Sequence, residues 1–473
     1  MRRRLLTLVL AMAFCSGGFA QNCPNSLYLA LDRKVNRLQC VPCSDKGLCI
    51  VGEKKVKPDK QLSISHLDTL MNVQFDTVLT ISQNYHQQGC FYGDGTLAVF
   101  LSEFQNPSQK SLKTGKGILL LYDLDKRQLQ SRELSGLPRK PFLGKWVIQG
   151  RDLLFATIDR SGDQLWFLPD GTSQPTPFPF TAENPGKVLV AAADTLSRKT
   201  IICFATNGRT LYFETDFTGK SSFANMLDEP ATHAQWVRVG PAHSLLMLYY
   251  HDDETFYMHP VSIRNHQVTP SDTVYCADIL VPKTLPQGVT ARRTIIVTPH
   301  ASVSFLPTQA QRCRDAVTFT TELYYAEYTN YFNGYYVEPR FNGYRYERAD
   351  VHFFDTDGHF LTNVTFPYDE GMSLSSHIEQ RLHTHELRNG NYLFYLRNGH
   401  DMTTMLLDAN HRVKDPIRTI TLPLPKIPFK KQKTVIDFFG PWYGDDQFLL
   451  TAQRVRISSQ RKEGYEIRKL TYE

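Results

Sequence analysis

Apolar residues along this chain come in short runs, and few windows sustain the 3.6-residue period of an amphipathic helix. The runs are rich in β-branched and aromatic residues and are separated by Asp-Gly, Asn-Gly and similar pairs, which predicts short strands joined by tight turns. "RDLLFATIDRSGDQLWFLPDGTSQPTPFPF" shows the unit. A strand over 153–158 turns at Ser161-Gly162, a second over 164–168 turns at Asp170-Gly171, and a third follows. "KTIICFATNGRTLYFETDFTGKSSFANML" repeats the order, with Asn207-Gly208 between an apolar and an aromatic strand and Gly219 before an outer one. "HSLLMLYYHDDETFYMHPVS" begins the next unit.

The aromatic strand marks a period. Tyr122, Phe167, Tyr212 and Tyr257 stand 45 residues apart. Phe354 comes about twice that distance later, and Leu407 and Ile467 follow at longer steps. A single four-stranded sheet of this kind has two apolar faces and cannot bury both alone, whereas a circle of such sheets covers each face with a neighbour. Over roughly residues 60–473 the chain therefore resembles β-propeller repeat proteins. The resemblance lies in period and strand order. The pairing of Gly-His with Trp-Asp that marks WD40 blades, the double-glycine kelch signature and the Tyr-Trp-Thr-Asp repeat are not found. "FFDTDGHF", with Asp355, Asp357 and Gly358, matches the Asp-box turn of sialidase-type propellers only in part. No family function is implied. What the resemblance implies is an all-β propeller of seven blades, with eight as the runner-up. "GYEIRKLTYE" is expected as a late strand of an incomplete last blade, completed by "KQLSISHL" near Ser63.

One unit is longer than its neighbours, and its excess is "YFNGYYVEPRFNGYRYER". Asn333-Gly334 and Asn342-Gly343 are both signals for type I′ turns, because both central residues need φ > 0. The stretch reads as a meander over 318–332, 335–341 and 344–355, with Pro339 arguing for an edge or a bulge. Its tyrosines suit a half-buried sheet. They also suit a projecting platform, since tyrosine offers a flat apolar ring and a polar tip at low entropy cost. The candidate binding residues are Tyr331, Asn333, Tyr335, Tyr336, Arg340, Asn342 and Tyr344, with Glu338 at the rim.

The N-terminus changes the picture of compartment. "MRRRLLTLVLAMAFCSGGFAQ" has the basic start, short apolar run and small residues of a secretory signal peptide, with cleavage expected after Ala20. The run is too short to cross a bilayer, and no other stretch reaches the roughly 18 apolar residues required, so no transmembrane segment is expected. Cleavage leaves Cys23, Cys40, Cys43, Cys49, Cys90, Cys203, Cys276 and Cys313. An even set in an exported chain implies disulfides. Four of them crowd into residues 23–49, so residues 21–60 are expected as a small disulfide-rich segment ahead of the propeller at 61–473. Cys276 with Cys313 is the pair suggested by proximity. Cys40-x-x-Cys43 also has zinc-ligand spacing, although an oxidising compartment favours the disulfide. Removing Arg2, Arg3 and Arg4 takes the formal charge from +6 to +3, too little for a nucleic-acid binder.

Catalytic patterns are sparse. The sequence holds no Gly-x-Ser-x-Gly elbow, no His-Glu-x-x-His and no phosphate-cradling glycine loop. His383 and His385 share a strand face, with His352, His359, His400 and His411 near in sequence; His251, Asp252 and Asp253 sit at a turn. No metal and no cofactor is expected. The sequence thus favours an exported, non-enzymatic binding or scaffold propeller of the cell envelope, secreted or periplasmic, with a protein or glycan partner. The alternative is a secreted propeller hydrolase or lyase acting on glycan or peptide, which would need carboxylates or histidines from several blades to converge.

Overall fold

The computed structural model describes residues 26–30, 35–106, 111–140, 142–159, 161–251, 255–278, 304–332, 337–368, 374–375, 377–423, 432–442, 446–456 and 461–472. They form eight antiparallel sheets of four or five strands, and the chain is a β-propeller of eight blades. The sheets belong to two compact units, residues 1–141, 171–175 and 421–473 in the first and residues 142–170 and 176–420 in the second.

In the first unit, blade 1 is Val35–Pro42, Leu48–Val56, Asp59–Leu67 and Val73–Ser82. Blade 2 is Tyr85–Gly93, Thr96–Asn106, Ser111–Asp123 and Gln128–Leu134. Blade 8 is Gln432–Pro441, Gln447–Arg456 and Arg461–Thr471, completed by Ser26–Ala30 from the other end of the chain. Leu27 lies opposite Ile467 and Leu29 opposite Tyr465 in that pairing. The strand that completes the last blade is therefore Ser26–Ala30. "KQLSISHL" is instead the third strand of blade 1, where Leu62 and Ile64 are fully buried.

The second unit holds the next five blades. Blade 3 spans Phe142–Gln149 to Thr176–Pro177 and blade 4 Lys187–Asp194 to Ser221–Leu227. Blade 5 spans His233–Gly240 to Gln267–Pro270, with Val274–Asp278 added beside its third strand. Blade 6 is Ser304–Arg312, Val317–Phe332, Val337–Phe354 and Phe360–Pro367, and blade 7 spans Leu382–Glu386 to Val413–Thr421.

The blade count corrects the expectation of seven and meets the runner-up of eight. All seven aromatic or apolar markers lie on the third strand of a blade. The uncounted blade is blade 1, whose first two strands carry Cys40 and Cys49. Those strands need no separate scaffold. Leu48 to Glu53 are buried in succession, because a second strand has an apolar neighbour on both faces. Cys43, Cys49, Val51, Leu62 and Ile64 pack against Leu97, Val99, Leu101 and Leu120 of blade 2. Leu48, Ile50 and Leu67 pack against Leu449, Tyr465 and Ile467 of blade 8.

Fourth strands behave differently. Gln128–Leu134 and Phe360–Pro367 alternate between exposed and half-buried positions, as a sheet edge against water should. Between the third and fourth strands of four blades the chain makes the same five-residue turn, opened by Asp68, Asp216, Asp355 and Asp408. Each aspartate carboxylate accepts the N–H groups two and four residues on, at 2.8–3.0 Å. The fourth position is Met71, Gly219, Gly358 or His411, all at positive φ. A short carboxylate can satisfy two turn N–H groups at once, which is why aspartate opens it.

Candidate functional site

The long unit is blade 6. Its second and third strands, 16 and 18 residues long, pair from Val317 opposite Phe354 out to Phe332 opposite Val337. Among the described residues, pairing with the first strand reaches Ser304 opposite Tyr324, and Leu374–Ser375 pairs with Arg345 and Tyr344 farther along this ribbon.

The structure changes the reading of the two Asn-Gly pairs. Residues 333–336 lie outside the described residues. Asn342-Gly343 is not a hairpin turn: it sits within the strand Val337–Phe354. There Gly343 pairs with Glu327 and Phe341 with Tyr328, so Asn342 is the extra residue of a β-bulge. A one-residue shift moves every later side chain to the opposite face, and the bulge uses that shift. It turns Phe341 onto the face already held by Tyr344.

That face carries a row of aromatic side chains. Tyr346 lies 5.6 Å from Tyr324, Tyr324 5.8 Å from Tyr344, Tyr344 5.1 Å from Phe341, and Phe341 5.6 Å from Tyr328, between ring centres. The last three contacts are edge-to-face, the geometry that aromatic quadrupoles favour. Exposure rises along the row, from 1% at Tyr346 to 38% at Tyr328 and 43% at Phe341. The opposite face carries the ion pair of Glu327 with Arg345 and the buried ring of Tyr325.

The base of the ribbon is fixed to blade 7 by a buried carboxylate. Glu322 accepts the N–H of Arg381 at 2.8 Å and of Leu382 at 3.3 Å on Oε1, and the Tyr368 hydroxyl at 2.7 Å on Oε2. Burial pushes its carboxyl up to about 7 against those hydrogen bonds. Beside it, Tyr346 donates to the Glu379 carbonyl at 2.7 Å and accepts the Glu379 N–H at 2.8 Å, with the Arg381 guanidinium 5.6 Å over its ring.

Of the residues singled out in the sequence, Arg340 and Asn342 are exposed on the ribbon and Tyr344 is half-buried within the aromatic row. Tyr331 pairs with Glu338 in the backbone ladder. Asn333, Tyr335 and Tyr336 lie outside the described residues. Tyr324, Tyr328 and Phe341 belong to the row and were not among the candidates. Tyr324 and Tyr328 keep even spacing on Val317–Phe332, whereas the bulge at Asn342 puts Phe341 three residues from Tyr344 and breaks the alternation on Val337–Phe354.

The histidines are dispersed. His383 Nδ1 accepts from the Gln380 side-chain amide at 3.0 Å and its ring stacks on Tyr395, and burial lowers it to about 4. His359 bonds Asp355 at 2.8 Å within its turn, and His411 packs on Phe353. His251 sits edge-on to Phe256, while Asp252 and Asp253 lie outside the described residues. Among the described residues no group of three His, Cys, Asp or Glu side chains is placed to hold a metal ion.

The seven described cysteines are free thiols in the structure, and Cys23 lies outside the described residues. Cys43 and Cys49 meet in the core between blades 1 and 2, where the two thiols are hydrogen-bonded and Cys43 also donates to the Val41 carbonyl at 3.3 Å. Cys40 faces the other way, toward Tyr465 of blade 8. Cys276 packs between blades 5 and 6, whereas Cys313 packs between blades 6 and 7.

No protein-family model matches the chain, and no curated protein does. Among solved structures it is similar to the Dos1 propeller, at 9% identity over 95% of this chain and 90% of that one, with a TM-score of 0.42. It is also similar to the β-propeller domain of the Trilobed protease from Pyrococcus furiosus, at 9% identity over 83% and 96%, TM-score 0.36. A third likeness is to dihydro-heme d1 dehydrogenase NirN in complex with DHE, at 9% identity over 94% and 80%, TM-score 0.39. At these identities the likeness concerns the fold alone.

Proposed function

We propose that the protein is an exported, non-enzymatic binding or scaffold propeller of the cell envelope, and that it holds a protein or glycan partner on the aromatic row of blade 6. The observation that carries this reading is the graded exposure of the row. Its inner rings are locked into the blade while Tyr328 and Phe341 stay open at the outer end. Rigid, part-exposed aromatics lose little entropy on binding and stack on sugar faces or fill pockets of a protein. Arg340 and Asn342 stand beside them as hydrogen-bonding groups. Export draws support from the N-terminal pattern and from the meeting of Cys43 with Cys49, which an oxidising compartment would join.

The test uses mature protein recovered from the producing cell. Replacing Tyr328 and Phe341 together with alanine should weaken capture of the envelope partner about thirtyfold, the effect of losing roughly 2 kcal/mol of anchor contact, with little change in melting temperature. Unchanged capture, or a collapse of the melting temperature, overturns the platform. Intact mass of the same preparation, without reduction, should begin at Gln21 and show the Cys43–Cys49 bond. A chain that still begins at Met1, or that alkylates at both cysteines, overturns export.

A further inference from the structure

The first strands of blades 3, 4 and 5 lie side by side, and each brings a basic residue toward the next. Lys145 Nζ of blade 3 donates to the carbonyls of Val188 and Leu189 of blade 4, at 2.5 and 2.8 Å. Val188 follows Lys187, whose own Nζ donates to the Thr232 carbonyl at 3.1 Å. Thr232 precedes His233 of blade 5, and the His233 ring bonds the Thr232 hydroxyl at 3.2 Å. Three basic side chains are thus strung across three blades through the carbonyls of Val188, Leu189 and Thr232 and the Thr232 hydroxyl. His251, at the end of blade 5's second strand, also lies near enough to act on His233.

Among the described residues the two lysines are in no ion pair, and Asp163 is the carboxylate that acts on Lys145. Two other lysines with little exposure are ion-paired, Lys60 with Glu53 at 3.3 Å and Lys199 with Glu214 at 2.9 Å, whereas Lys469 donates to the Thr69 carbonyl at 2.7 Å. Neither Lys145 nor Lys187 has a carboxylate within ion-pair distance among the described residues. Asp163 feels Lys145 at longer range, but its Oδ2 accepts the Val188 N–H at 3.0 Å. The two ammonium groups keep donors to spare, since each has three and they use two and one.

We propose that Lys145, Lys187 and His233 form a binding site for an oxyanion group, a carboxylate, phosphate or sulfate carried by the ligand of this propeller. A carboxylate or phosphate placed there would complete two charge-assisted hydrogen bonds and relieve the mutual repulsion of the cations. The electrostatics agree. Burial first, and then Lys187, hold Lys145 down to about 8 despite Asp163 and Cys203. Burial first, and then Lys187, Lys145 and His251, push His233 down to about 4, so near neutral pH its ring is an uncharged hydrogen-bonding group. The site uses no residue of the blade 6 ribbon, so its failure and that of the aromatic platform are separable.

The experiment measures saturable binding to the full chain of inorganic phosphate, of sulfate, of a uronic-acid oligosaccharide and of a neutral oligosaccharide of equal length, at constant ionic strength set with chloride. At least one anionic probe should bind at pH 7, with Lys187→Met weakening it about tenfold or more and Lys145→Met at least as much. Binding should fade as pH rises through about 8, where Lys145 loses its proton. Which anionic probe binds tells a sugar acid from a phosphate or sulfate. Lys187 is exposed, so Lys187→Met decides the matter if Lys145→Met does not fold. Absence of saturable binding by every anion overturns the site. So does equal binding of the neutral oligosaccharide, or anion binding that Lys187→Met leaves unchanged.

Discussion

Glu322 shows how much one side chain can join. Its carboxylate accepts from two backbone N–H groups at the start of blade 7 and from Tyr368 behind blade 6, and it is fully buried. In the unfolded chain the group titrates near 4.5, and in the fold near 7. The folded protein therefore holds the proton more tightly. The stability this contributes is complete below about 4.5 and is lost as pH rises through about 7, a change on the order of a few kcal/mol. Urea midpoints at pH 5 and pH 8 should differ in the native protein and differ less in Glu322→Gln, which cannot ionise. Equal slopes in the two proteins would remove Glu322 from the balance. Nothing in the sequence around "TTELYY" marks this glutamate, because its partners come from residues 368, 381 and 382. Burial of a charge by distant backbone is invisible to local pattern.

The strand is the scale at which the sequence spoke most clearly. Asn207-Gly208 forms the expected turn, with φ of 49° and 75°. Asn342-Gly343 carries the same letters and forms a bulge, because the partner strand continues past it to Phe332. Local propensity proposes a turn, and cross-strand pairing decides. The recurrent aspartate turn is a converse case, since its regularity lies in hydrogen bonds and not in a shared word: Asp68-Thr-Leu-Met-Asn and Asp216-Phe-Thr-Gly-Lys share only the first residue. In Asp216 burial works to raise the carboxyl, and bonds from Thr218 and Lys220 outweigh it, leaving the carboxyl below its ordinary value. Its contribution is therefore present above the unfolded value of about 4 and lost as pH falls through the lower folded value. Asp216→Ala should cost about 1.5 kcal/mol at pH 7. The deficit, read from urea midpoints, should shrink as pH falls through that lower folded value; a deficit of the same size in strong acid would mean that the charge is irrelevant.

For the whole molecule, the period of 45 residues made the propeller legible, and the cysteines hid one blade of it. Residues 21–60 read as a disulfide-rich segment because four cysteines fall within 23–49. Three of the four point into inter-blade cores, where a thiol packs as a small apolar side chain. The completing strand was equally hard to see. "SLYLA" is short, and only its distant partner gives it a place. Removing residues 26–30 should uncover Tyr465 and Ile467, which are fully buried, and take away Leu29. Each such side chain is worth roughly 1.5–3 kcal/mol when buried, so the deletion should lower the urea midpoint clearly and bare an unpaired strand edge. A midpoint that did not move would show that blade 8 holds without it.

That pairing also sets a clock. Ser26–Ala30 is made about 430 residues before its partner Arg461–Thr471. At roughly 5–20 residues per second, the early strand waits on the order of tens of seconds for the sequence that will pair with it. Throughout that interval Leu27 and Leu29 have no Ile467 or Tyr465 to meet, while blades in between can already form from neighbouring sequence. Completion of blade 8 is thus a late, long-range event, placed after the segments with local contacts. While the intervening residues are made the nascent chain carries Leu27 and Leu29 without their partners, and it is there that a holding chaperone has something to shield.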